Sequence, residues 1–303
     1  MTVSRGRAVA PLPVRDGLGP ARLRLRGTGT PGETVRVAAE IEARFGVAAL
    51  AKVLAGQMVC ADGAVVDEAT MLPAGSHVYW YRDLPEEVPV PFDMPILHRD
   101  DDLVVVDKPH FLATMPRGGH VAQTALVRLR RELGLPEVSP AHRLDRLTAG
   151  VLMFTTRREL RGSYQTLFAR GLVHKTYLAE AQGIPAATLP TVVRSRIVKH
   201  RGRLQAVEEP GEPNAETLVE TIGPGRYRLT PRTGRTHQLR VHMASLGVPI
   251  CGDPLYPDVI AVADGDFSRP LRLLAHSIEF TDPVDGSRRR FVSRRGLGAH
   301  APR

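Results

Sequence analysis

Residues 84 to 95 read LPEEVPVPFDMP, with four prolines in twelve positions, so no helix or inner strand can run through them. Proline fixes φ, lacks the N–H a ladder needs, and pushes the residue before it out of the α region. The chain must therefore build its structure separately before and after this segment, which is expected to be a linker. With 303 residues there is enough chain for one large domain or two unequal ones.

Ahead of the linker, residues 1 to 32 scatter Arg5, Arg7, Arg15, Arg22, Arg24 and Arg26 among glycine and proline. That composition is expected to pack poorly and to form a flexible basic arm. Residues 33 to 83 are more ordered. Val37, Ile41 and Phe45 follow Thr34 at helical spacing, and Leu50 to Leu54 suggests a second short helix. MVCADGAVV carries a hairpin signal at Asp62-Gly63, and Val78-Tyr79-Trp80-Tyr81 reads as a closing strand. These pieces make a small N-terminal α+β module.

The larger part, residues 96 to 288, mixes both periodicities. LVVVD at 103 to 107 predicts a buried strand stopped by Lys108-Pro109, residues 124 to 133 a helix, and GVLMFTT a strand. Leu160, Tyr164, Leu167 and Phe168 mark a helix that Gly171 can cap. HKTYLAEA alternates as a half-buried strand, and TLVETIGPGRYRLTP as a hairpin. No regular βαβ rhythm and no internal repeat occurs, which gives an α+β fold with a mixed, mostly antiparallel sheet flanked by helices and loops. Residues 289 to 303 read as a basic tail.

Charge narrows the partner. Lys and Arg number 41 against 32 Asp and Glu, a net +9, and a pI near 10.1 suits a polyanion. A basic but inert surface is the plain alternative. Aromatic residues make up only 5%, too few for a continuous base-stacking platform, so phosphate contact fits better. Cys60 and Cys251 stand far apart without metal-ligand spacing, which speaks against a disulfide framework or a cysteine zinc site. No signal-peptide core and no apolar run of about twenty residues is seen, so a soluble, cytoplasmic protein is expected.

Two clusters carry chemistry. In AHRLDRLTAG, Asp145 lies between Arg143 and Arg146 with His142 upstream. Adjacent guanidinium groups favour the ionised carboxylate, which suits a nucleophile, base or cation stabiliser better than an acid. An ion pair that merely orders a loop remains the other reading. In TPRTGRTHQLRVHMASLGVPICGDPLY, a glycine turn with Arg232 and Arg235 feeds a helix start, a ready anion site. His237 and Arg240, three apart, would share a face of that helix, while Leu239, Met243 and Leu246 could equally mark an ordinary amphipathic helix. His237 and His242 are spaced wrongly for zinc, and no Walker or G-x-G-x-x-G loop supports a nucleotide cofactor.

HRLDRLTAG, HKTYLAEA and PRTGRTHQLRVHMASLGVPICGDPLY, in this order, closely resemble the successive motifs of the RluA family of RNA pseudouridine synthases, and ILHRDDDLVVVDKPHFLATMP resembles the start of their catalytic domain. The resemblance implies the pseudouridine synthase fold and isomerisation of uridines in ribosomal or transfer RNA, with neither metal nor cofactor. It makes Asp145 the catalytic carboxylate, Tyr177 the tyrosine that packs on uracil and assists proton removal, and Arg240 the partner of Asp145. Arg143 and Arg146 would engage RNA phosphates, with His142, Arg235 and His237 beside them, and Leu273 would line the uracil pocket. Ala149 stands where the family commonly has Ser, and Leu274 where it commonly has His. The module at 33 to 83 resembles an S4-like RNA-binding domain, with fewer basic residues than usual. An enzyme acting as a monomer on RNA is expected; an RNA-binding or chaperone protein on the same scaffold is the alternative.

Overall fold

The computed structural model describes residues 11–28, 30–84 and 86–297. The chain divides into two compact units, Met1–Pro85 and Glu86–Arg303.

In the first unit, strands β1 (Ala21–Arg24), β2 (Thr34–Arg36), β3 (Met58–Cys60), β4 (Met71–Pro73) and β5 (His77–Trp80) accompany helices α1 (Val37–Phe45) and α2 (Val47–Leu54). A three-stranded antiparallel sheet has the order β1-β5-β3, so the strand expected to close the module is its centre. Residues 1 to 10 of the expected arm lie outside the described residues. Its later part is not an arm. Ala21, Leu23 and Leu25 point inward with Val37, Ile41 and Val78, while Arg22, Arg24 and Arg26 point outward. The arginines that suggested disorder are the polar face of a period-two strand.

The second unit contains β6 (Ile96–Arg99), β7 (Leu103–Lys108), α3 (Ala125–Leu133), β8 (Ser139–Pro140), β9 (Ala149–Thr155), α4 (Arg161–Ala169) and β10 (His174–Glu180). After them come β11 (Thr191–Ser195), β12 (Ile197–Val198), β13 (Val207–Glu208), β14 (Ala215–Gly223), β15 (Arg226–Pro231), α5 (Gln238–Ser245), β16 (Leu273–Thr281) and β17 (Arg288–Val292). One large sheet has the order β11-β14-β15-β10-β16-β9-β7-β6, with β17 on β16 and β8 on β9. Every pairing in it is antiparallel except β16 with β9, so the sheet is mixed and mostly antiparallel. β7 and β9 are buried along their whole length, which explains their unbroken apolar runs.

Two expectations change here. Residues 86 to 95 belong to this unit rather than to a free linker: Val90, Phe92 and Met94 alternate into the core around Leu112 and Phe154, and the Glu87 carboxylate accepts from the N–H groups of Val121, Ala122 and Gln123. Proline forbids a ladder but holds the chain extended, so alternate side chains still reach one face. The tail expected from 289 starts inside β17 and continues as a clamp. Ser293 Oγ donates to Asp107 at 2.8 Å, Arg294 N to the same carboxylate at 2.7 Å, and Arg295 to the Asp107 carbonyl. Residues 298 to 303 lie outside the described residues.

Candidate active site

The segment that carries Asp145 ends in a tight exit to β9. Thr148 N donates to the Asp145 carbonyl at 3.1 Å, closing a turn, and the chain enters the sheet at Ala149. Gly150, at φ 113, pairs with Ala275 of β16, and a Cβ there would stand 2.2 Å from the Ala275 carbonyl oxygen. Only glycine lets the two backbones approach this closely. On the other side of β16, the register of β10 shifts between Thr176 and Tyr177, and Tyr177 pairs with the same Ala275. Asp145 and Tyr177, 32 positions apart in the chain, are therefore set side by side through one residue of β16.

Behind the turn, each carbonyl from 144 to 147 has a donor. Thr114 Oγ1 donates to Leu144 O at 2.8 Å, and Thr148 N holds Asp145 O. Lys108 Nζ donates to Arg146 O at 3.3 Å, and His110 Nδ1 lies 2.6 Å from Leu147 O. Lys108 is fully buried, and its other two donors reach Pro109 O at 3.0 Å and Leu112 O at 2.7 Å. Three carbonyls match the three N–H bonds of an ammonium. Burial pushes the Lys108 ammonium well down from its ordinary range, and the Asp145 carboxylate opposes that shift.

In front of the turn, the Asp145 side chain is 33% exposed and faces Arg240, whose Nη1 is 3.8 Å from Oδ2. Arg240 projects from α5 and is itself fixed from behind. Its Nε and Nη2 donate to the two oxygens of buried Asp253 at 2.7 and 2.5 Å, and its guanidinium lies over the Tyr256 ring. Burial works against the Arg240 charge, but the Asp253 bonds outweigh it and raise its pKa. His237 Nε2 stands 4.0 Å from the same Asp145 oxygen. It reaches that place as the residue preceding α5, not along a helical face, with φ 58 and ψ 14. Left-handed backbone at a non-glycine residue costs about 1–3 kcal/mol and is held by its surroundings. Here the hold is Tyr256 Oη, 2.9 Å from His237 Nδ1.

Asp145, His237 and Arg240 line an open cleft together with Arg143, Lys175, Tyr177, Arg235 and Leu273. Among the described residues, nothing donates a hydrogen bond to the Asp145 carboxylate, which leaves its acceptor capacity facing the cleft. Tyr177 is half-buried, and burial followed by the Asp145 charge pushes its phenol above the ordinary range. The glycine turn has less free N–H capacity than its sequence suggests: Arg235 N donates to Gln238 Oε1 at 3.0 Å. Lys175 Nζ donates to Thr233 O of that turn at 3.0 Å.

Two expected residues sit elsewhere. His142 does not line the cleft; its ring stacks on Phe168 at 4.3 Å and its Nε2 accepts from Met153 N. Burial lowers its pKa to about 3, so it is a neutral fastener of the turn to β9. Arg146 faces away from Asp145 into a second hollow with Phe111, Ile260 and Arg269. The two arginines flanking Asp145 thus serve different sides of the turn. Sequence reading missed Lys108, His110, Thr114, Asp253 and Tyr256 as site residues, although each lay inside a quoted motif.

Comparison with known proteins gives the family. The RNA pseudouridylate synthase family profile matches residues 102–245. An uncharacterised RNA pseudouridine synthase of Synechocystis is 31% identical over 202 residues, covering 64% of this chain and 69% of that protein. The dual-specificity RNA pseudouridine synthase RluA of Escherichia coli is 32% identical over 204 residues, or 63% of this chain and 89% of RluA, and its Pasteurella multocida counterpart is 34% identical over 206 residues, covering 63% and 88%. Among solved structures, human RNA pseudouridylate synthase domain containing 4 superposes with a TM-score of 0.51 at 27% identity, covering 66% of this chain and 87% of that one. With the motif order, the fold and the matched length all in agreement, the chain belongs to the RluA family and is an RNA pseudouridine synthase.

Proposed function

We propose that this enzyme isomerises particular uridines of ribosomal or transfer RNA and that Asp145 is its reacting carboxylate. The observation that carries the reading is the Asp145 carboxylate itself: fixed from behind, open in front, and 3.8 Å from a buried arginine that has its own counter-charge. Breaking the bond between uracil N1 and ribose C1′ develops positive charge at the sugar, and a preorganised carboxylate stabilises or traps it. Asp253 neutralises most of the Arg240 charge, so Arg240 orients Asp145 without cancelling it.

A uridine in folded RNA must leave its stack to reach such a cleft, at a cost of a few kcal/mol. Arg143 and Arg235, both exposed at the rim, supply phosphate contacts that offset this cost, while Tyr177 and Leu273 form the face and wall against which the base packs. Arg146 contacts RNA from the far side of the turn, and His142 acts by holding the turn in place. The first unit serves as an S4-like RNA-binding module, with Arg22, Arg24 and Arg26 on the outer face of β1 and the stretch after it. The enzyme works in the cytoplasm as a monomer; no helix among the described residues is long and apolar enough to cross a membrane.

The test is to incubate the purified protein with unmodified transcripts of the stable RNAs and to map pseudouridine by carbodiimide-stop sequencing. Product at a few defined positions in ribosomal or transfer RNA is expected. Product in neither class, or scattered over every uridine, contradicts the reading.

A further inference from the structure

Next to the uridine cleft, the Asp145 turn borders a second hollow that the isomerisation does not use. It is lined by Arg146 and Leu147 of the turn, by Phe111, and by Ile260 and Val262 from the long segment between α5 and β16. That segment is pinned in place. Ile260 N donates to Pro254 O at 2.8 Å, and a Cβ on Gly252, at φ 74, would stand 2.3 Å from Pro270 O, so the two ends of the segment touch. Phe267 packs edge-on against Phe92 and Phe111, with ring centroids 5.7 and 5.2 Å away.

Phe111 itself has φ 66, a region that bulky side chains rarely adopt, and such strain persists only where the surroundings hold it. Its buried ring anchors Phe267 and with it the wall of the hollow. On this fixed wall Ile260 and Val262 nevertheless remain 54% and 45% exposed. Apolar side chains held open over a hollow, with a few polar groups beside them, are the usual make-up of a ligand pocket.

The charges of the hollow point to the kind of ligand. Asp253 is spent on Arg240 and on the N–H of Leu255, and Asp266 accepts from Ser268 N and Oγ and lies beside Arg269. Arg146 has no such engagement. Its guanidinium is half-buried and donates to no protein acceptor among the described residues, whereas Arg240 in the cleft holds both oxygens of Asp253. Burial works against the Arg146 charge, and the exposed Asp264 opposes that without forming an ion pair. A half-buried cation without a protein partner, next to an apolar wall, suits a ligand with an anionic group on a flat apolar body.

We propose that this hollow holds the nucleotide next to the target uridine, its base against Leu147, Ile260 and Val262 and its phosphate on Arg146, an inference that rests on the neighbouring cleft being the uridine site. Asp145 and Arg146 are successive residues, with Cα atoms about 3.8 Å apart. A strand that places one nucleotide at Asp145 therefore brings the adjoining one within reach of Arg146. Flipping the uridine out of its stack leaves its neighbour without a partner on one side, and the hollow supplies a replacement surface. Recognition then extends from the uridine to the base beside it.

The test uses a transcript in which the parent forms pseudouridine, remade with an abasic ribose immediately before or immediately after the target. RNA affinity and the single-turnover rate at saturating RNA are measured for the parent and for the double variant Ile260→Ser/Val262→Ser, whose exposed side chains lie outside the core. With the parent, losing the base at one of the two positions is expected to weaken binding about tenfold, the typical contribution of one stacked base, with the saturated rate held within about threefold. The double variant is expected to bind the intact transcript about tenfold more weakly and to respond to the abasic position by less than about twofold. Ile260→Ala, a milder change, is expected to lose part of the same preference, and Arg146→Gln to lower the salt slope of binding by about one. An abasic ribose that matters at neither position overturns the proposal, and so does a loss of equal size in the parent and the double variant, which puts the base elsewhere. A parental chain that forms no pseudouridine in any transcript overturns the site reading itself, whereas parental product without an abasic effect overturns only the neighbouring pocket.

Discussion

The two sides of the Asp145 turn are built differently. Behind it, four consecutive carbonyls are held by donors at 2.6–3.3 Å, three of them from the β7 exit at Lys108, His110 and Thr114. In front, the Arg240 guanidinium stands at 3.8 Å and the His237 imidazole at 4.0 Å, and the carboxylate accepts no hydrogen bond among the described residues. A saturated back gives the turn one conformation, and an unsaturated front leaves the reactive oxygens for a substrate. Rigidity and reactivity are assigned to opposite faces of the same few residues, so substitutions on the two faces should separate stability from chemistry.

The largest expected stability effect comes from Asp253→Asn, which leaves the Arg240 guanidinium, 2% exposed, without its counter-charge. Breaking a buried pair this way costs about 3–5 kcal/mol, measured by urea unfolding, and activity should fall with it because Arg240 no longer has a fixed pose. Lys108→Met should follow at about 2–3 kcal/mol, since three buried carbonyls lose their donor. If the back only shapes the turn, Lys108→Met weakens activity in proportion to disorder of the turn; an unchanged unfolding midpoint would remove the distinction between the faces.

Acid should weaken the scaffold through two buried imidazoles, His142 beside the turn and His242 on α5, where it meets Ser195 and Thr217. His142 and His242, at about 3 and about 4, are neutral when folded, and both are lowered from their unfolded value by burial. The unfolded chain binds more protons, so their stabilisation is complete above the unfolded pKa near 6.5 and drains away as pH falls towards the folded values. Each contributes a slope of up to about 1.4 kcal/mol per pH unit between roughly 6.5 and 4. Unfolding curves at three pH values check this, and His142→Phe should flatten the slope. The smallest effect belongs to the rim: Arg143→Ala should change stability by less than about 0.5 kcal/mol while lowering the salt slope of RNA binding by about one.

How much of this the sequence revealed depends on how local each signal was. The strand carrying Tyr177, the helix carrying Arg240 and the turn after Asp145 all had a period or a glycine to mark them. β1 went unseen because its outward arginines dominated the composition, although Ala21, Leu23 and Leu25 alternated beneath them. The Pro-rich stretch hid Val90, Phe92 and Met94, again a period-two pattern, and the expected tail hid the clamp on Asp107. The donors behind the turn act across 30 to 38 positions in the chain, where no local pattern points. Asp253 lay inside a quoted motif, but only three dimensions reveal that it faces Arg240. Adjacency in sequence likewise set Arg146 beside Arg143, whereas the two line different hollows.

The separation of the two faces is tested most directly by Asp145→Asn, with RNA affinity, unfolding midpoint and pseudouridine yield measured on one preparation. Phosphate contacts dominate affinity, so binding should stay within about threefold. Stability should move by less than about 1 kcal/mol, because the back of the turn does not use this side chain. Pseudouridine should fall by about 10⁴-fold or more, as when a reacting group is removed. An Asp145→Asn enzyme that still forms pseudouridine at the parental rate would contradict the account, and one that loses activity only because it unfolds would place Asp145 in the scaffold instead of at the sugar.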